Sequence, residues 1–109
     1  MLNNIKMKVI QTAKNGVVNS DTIFHFKQNG NFVSANYSGG QIKQGHLVGQ
    51  LIDNILSFGY CQFRISGEID NGKSNCVLSV TDGKIKLEEK FEMNTEETLE
   101  KGINIFKEI

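Results

Sequence analysis

Apolar and polar residues alternate along most of the chain, as expected for strands that bury one face and leave the other in water. Ile5, Met7 and Val9 fall on one side and Lys6 and Lys8 on the other, and Phe24 and Phe26 oppose His25 and Lys27. The clearest run sets Ile85, Leu87, Phe91 and Met93 against Lys86, Glu88, Lys90 and Glu92. Between the runs stand Asn15-Gly16, Asn29-Gly30, Gly39-Gly40, Asp53-Asn54, Asp70-Asn71-Gly72 and Asp82-Gly83. Such residues accept the positive φ angles of tight hairpins, and their spacing leaves room for one strand between neighbours. The pattern predicts strands near 5–13, 21–28, 31–38, 41–52, 55–66, 74–81, 84–93 and 103–108. Eight strands joined by hairpins close into an antiparallel up-and-down barrel, an all-β fold in which closure removes the exposed edges. A two-sheet β-sandwich is the alternative.

Two stretches depart from the alternation. From Asn94 to Gly102 a capping residue, an acidic first turn and a terminal glycine predict a short helical turn near 95–101, or else an acidic loop. Residues 1–4 precede the first alternating run and are expected to be disordered.

Composition narrows the function classes. The chain has 109 residues, 39% of them hydrophobic, with 11 Gly and no Pro, so a single globular domain over 1–109 is expected. Twelve basic residues balance twelve acidic ones, which removes the main electrostatic argument for a nucleic-acid partner. The balance is uneven along the chain: residues 1–64 hold six basic and two acidic side chains, and the remainder six and ten. No apolar run approaches the ~20 residues of a membrane span, and the start lacks the apolar core of a secretory signal. No membrane partner and a cytoplasmic location are therefore expected. Cys61 and Cys76 are too few for a disulfide framework and lack zinc-site spacing; both are expected to be buried as small apolar residues.

The segment Phe24-His25-Phe26-Lys27-Gln28-Asn29-Gly30, followed by Tyr37-Ser38-Gly39-Gly40-Gln41-Ile42-Lys43-Gln44-Gly45-His46-Leu47-Val48-Gly49, resembles a family of short bacterial proteins. The pattern Y-S-G-G-x-I-x-x-G-x-L-x-G carries the likeness, and members often bear the label N-acetylglutamate synthase-like protein. The resemblance implies a small antiparallel barrel of the lipocalin or avidin kind, with no settled activity. Acetyl transfer itself needs a strand-to-helix turn to cradle the coenzyme A pyrophosphate. Here Gly39-Gly40 falls at a hairpin and Gly45 and Gly49 within a strand, with no helical pattern following, so that activity is not expected. The two strand glycines mark either a barrel corner or a ligand contact.

Glu89 is the most informative candidate. It stands between Leu87 and Phe91 on the apolar face of its strand, which aims a carboxylate inward. A buried carboxylate must find a donor. Tyr60, Gln62 and Arg64 share one face of the strand near 55–66, and Tyr37 shares a face with Val33 and Ala35. If those faces point inward, Glu89 is expected to pair with Arg64 or Tyr60. Tyr37, Tyr60, Gln62, Arg64 and Glu89 then form either the polar contacts of a ligand pocket or a structural network that plugs the barrel.

The remaining chemistry is sparse. His25 is expected outside, the direction of His46 is open, and two histidines without a third ligand make a poor metal site. No Ser or Cys sits in a nucleophile motif, and no cofactor is expected. On the opposite face of the strand near 55–66, Phe63 and Ile65 are apolar too, which suggests a subunit interface with Phe106 as a third member. The leading reading is a barrel that binds a small apolar or amphipathic molecule. The alternative is a filled barrel acting as a structural homodimer, and a third is an enzyme using Glu89 as general acid or base beside Tyr60.

Overall fold

The computed structural model describes residues 1–12, 17–94 and 99–109, and the side chains of all these except 90–94 and 99–102. Eight strands follow one another: β1 (Ile5–Gln11), β2 (Ile23–Asn29), β3 (Phe32–Gly39), β4 (Ile42–Ile52), β5 (Ile55–Arg64), β6 (Ile69–Thr81), β7 (Lys84–Asn94) and β8 (Leu99–Glu108). Each pairs antiparallel with the next, and β8 returns to pair with β1, with Val9 opposite Phe106. The sheet is a closed up-and-down barrel, and the sandwich alternative falls away.

Hairpin chemistry places the strand ends. Asp53 and Asn54 both take positive φ (52° and 65°), as do Asp82 and Gly83 (53° and 76°), the backbone that lets a two-residue loop follow the twist of its strands. One turn lies elsewhere than expected. Asp70-Asn71-Gly72 belongs to β6, and the chain reverses between Arg64 and Glu68 instead. There the Arg64 N–H donates to the Glu68 carbonyl at 2.8 Å and the Gly67 N–H to the Arg64 carbonyl at 2.9 Å, with Gly67 at φ +95°. β6 is thereby extended by five residues over the expected strand. At the other irregular stretch, residues 99–101 are strand rather than helical turn. Residues 95–98 and the Asn15-Gly16 pair lie outside the described residues.

The inner face is apolar at one end and mixed at the other. Met7, Val9, Phe26, Leu56 and Leu87 are almost wholly removed from water. Residues 1–4 are held in place, contrary to expectation: Leu2 is fully buried, its N–H donates to Gln28 Oε1 at 2.8 Å, and the Asn4 N–H donates to the Phe26 carbonyl at 2.9 Å.

Strict alternation fails where the strands bulge. In β4 the register shifts between Ile42 and Gln44, so Ile42 faces inward, as do Gly45 and Leu47, while His46 and Val48 face out. A bulge inserts one residue and reverses the parity beyond it, which resolves the open direction of His46. Cys76 is buried as expected. Cys61 is exposed, because it lies opposite to the inward-facing Tyr60 and Gln62 on β5.

Candidate functional site

The barrel encloses a cavity of about 600 Å³. Its lining is apolar at Phe24, Phe26, Leu56, Leu87 and Phe106 and polar at Gln62, Arg64, Asp70, Glu89 and Asn104. All five residues singled out from the sequence, Tyr37, Tyr60, Gln62, Arg64 and Glu89, line this space.

Tyr37 is seated by a neighbour's missing side chain. Gly45 lies opposite to it across β3 and β4, and a Cβ built on Gly45 would stand 2.2 Å from the Tyr37 ring. The ring occupies that gap and stacks on Phe24 at a centroid distance of 4.3 Å, while Phe106 meets Phe24 edge-on at 5.0 Å. The Tyr37 hydroxyl donates to Gln62 Oε1 at 2.8 Å. Gln62 in turn donates from Nε2 to Asp70 Oδ2 at 3.0 Å.

Asp70 also receives Arg64 through two bonds of 2.8 Å, from Nε and Nη2, and Arg64 Nη1 lies 3.3 Å from Glu68. The paired bonds are the strong bidentate geometry of guanidinium and carboxylate. Hydrogen bonding from Arg64 holds the Asp70 carboxyl below its ordinary range and raises the guanidinium in turn. Burial pushes the phenols of Tyr37 and Tyr60 up, helped by neighbouring acidic groups that include Glu89, and it pushes the Cys76 thiol up as well. At neutral pH the cavity therefore presents neutral hydroxyl and thiol groups, with no thiolate nucleophile.

Glu89 stands apart from this network. The expected pairing with Arg64 or Tyr60 is not formed: Asn104, directly opposite on β8, donates from Nδ2 to Glu89 Oε1 at 2.8 Å. Arg64 is instead claimed by Asp70, which the turn after β5 brings onto the same wall. Tyr60 lies over Gly72, and its hydroxyl makes no hydrogen bond among the described residues. The Ser74 hydroxyl, also on the cavity wall, is buried with no hydrogen-bond partner among the described residues.

Three residues of the site escaped the sequence pattern. Asp70 was hidden in an apparent turn motif, Ser74 carried no signal, and Asn104 shares its face of the last strand with Phe106, which was expected on an outer interface. Phe106 shares the inward face with Asn104 and is buried against Phe24, which corrects its expected place on an outer interface. Phe63 and Ile65 are on the outside, 41% and 71% exposed. His25 and His46 are also on the outer wall.

Comparison of the chain with curated proteins and with solved structures finds no match. The family described as avidin-like protein matches residues 1–109. With the closed eight-stranded barrel, that match over the full length given places the chain in the avidin-like protein family.

Proposed function

We propose that this protein binds a small amphipathic molecule inside its barrel. The observation that carries the reading is the cavity of about 600 Å³, lined by apolar and aromatic side chains together with a few polar groups. Ordinary ligand sites occupy ~300–1,000 Å³ and have this mixed lining. A barrel filled by its own side chains would leave no such space. Membership of the avidin-like family supports a binding role of this kind.

The chain supplies its own probe. It has no Trp and two Tyr, and both tyrosines line the cavity, so intrinsic tyrosine emission reports on this site alone. Titration with a neutral probe such as 4-phenylbutanol is expected to change that emission saturably. In Ser74→Phe, which puts a ring into the cavity, the change is expected to be lost. No saturable change in the wild type, or unchanged binding in the variant, would overturn the reading.

A second reading, compatible with the first, is self-association through the outer wall of β5. Its outward residues, Ile55, Ser57, Gly59, Cys61 and Phe63, carry no charge, and Lys73 of β6 stands outward beside them, opposite Gly59.

A further inference from the structure

The charges facing the cavity do not balance. Arg64 is shared between Asp70 and Glu68, and Lys73, at the rim, is on the exposed side of β6. Neither is within ion-pair distance of Glu89. Glu89 is 8% exposed and lines the cavity. Asn104 occupies one of its oxygens, Oε1, and Oε2 has no hydrogen bond among the described residues. An amide donor satisfies part of the hydrogen-bonding capacity of a carboxylate but none of its charge. A carboxylate removed from water without a cation is costly, and a cation brought in by a ligand would offset that cost.

The surrounding surface has the matching character. Phe24, Tyr37, Phe58, Tyr60 and Phe106 line the same space, and the faces of aromatic rings attract cations through their quadrupoles. The Tyr60 and Ser74 hydroxyls, which have no hydrogen bond among the described residues, can accept from a head with several N–H donors. Tyr60, Ser74 and Glu89 all line the one cavity.

We propose that the ligand of this cavity is an organic cation, an ammonium head on an apolar or aromatic body, with Glu89 as its counter-ion. The proposal rests on the small-molecule reading above and adds the charge of the ligand to it. The Arg64–Asp70 pair is internally neutral and leaves Glu89, among the described residues, to discriminate by charge.

The test uses three molecules of one shape: 4-phenylbutylammonium, 4-phenylbutanol and 4-phenylbutanoate, titrated against the wild-type protein by calorimetry and tyrosine emission. The ammonium is expected to bind about tenfold or more tightly than the alcohol, and the carboxylate most weakly. In Glu89→Gln, which keeps shape and the Asn104 contact, the ratio of ammonium to alcohol affinity is expected to fall to about one. Equal binding of ammonium and alcohol in the wild type, or a preference that survives Glu89→Gln, would overturn the cation while leaving the binding cavity standing. If none of the three binds, the cavity reading and the cation fall together.

Discussion

Tyr37 has room for its ring only because the facing position on β4 has no side chain. Its buried hydroxyl then reaches Gln62, which orients the amide toward Asp70. One small residue thus positions a chain of polar groups along the cavity wall. Gly45→Ala forces a Cβ against the ring, and crowding of this kind in a packed interior costs ~1–3 kcal/mol. Urea unfolding should show that loss, and the loss should shrink in a Tyr37→Leu background, where the ring is gone. Tyr37→Phe keeps the ring and leaves Gln62 Oε1 without its donor, for which ~1–2 kcal/mol of destabilisation is expected. From the sequence, Gly45 is legible as a strand glycine marking a barrel corner or a ligand contact, and Tyr37 as a phenol on the face of Val33 and Ala35. Their mutual fit is not, because eight residues apart in the chain they meet only through the β3–β4 register.

At the scale of elements, the hairpin from β5 to β6 decides what Arg64 does. Reversal between Arg64 and Glu68 returns Asp70 beside Gln62 and within reach of the guanidinium. The folded protein holds the Asp70 carboxyl below its ordinary value of 3.8, so the pair contributes stability above that pH, and the contribution is lost as the pH falls through the lowered value. Asp70→Asn should therefore lower unfolding free energy at pH 7, with the gap from wild type closing below about pH 4. Both side chains are partly exposed, so the gap at pH 7 should also narrow in 1 M salt. Denaturant titrations across pH and salt measure each effect. The strands themselves were readable from their period-two pattern, as were the Asp53-Asn54 and Asp82-Gly83 turns. Bulges were not: the shift in β4 reverses which residues face inward, and hydrophobicity alone does not locate it. In β8 the expectation of Phe106 on an outer interface chose the wrong face. Closure against β1 and β7 fixes the right one, with Phe106 between Val9 and Leu87.

For the whole molecule, closing the sheet turns every strand into a wall with two environments, and the outer one remains to be covered or wetted. Around β5 that wall is unusually apolar: Ile55, Phe63 and Ile69 are 39%, 41% and 63% exposed, with Phe63 and Ile69 directly opposite across β5 and β6. Lone apolar residues on a surface need no explanation, whereas adjoining ones such as Phe63 and Ile69 do. If two copies meet here about a two-fold axis crossing β5, each Phe63 is covered by the same patch on its partner. Sedimentation at micromolar concentration should then give a dimer, and Phe63→Ser combined with Ile69→Ser should give a monomer. Cavity binding should persist in that monomer, since neither residue lines the interior. Sedimentation as a monomer in the wild type would remove the interface. Loss of binding on dissociation would instead tie the ligand site to the assembly, through β5, whose inner face carries Tyr60, Gln62 and Arg64 while its outer face makes the contact.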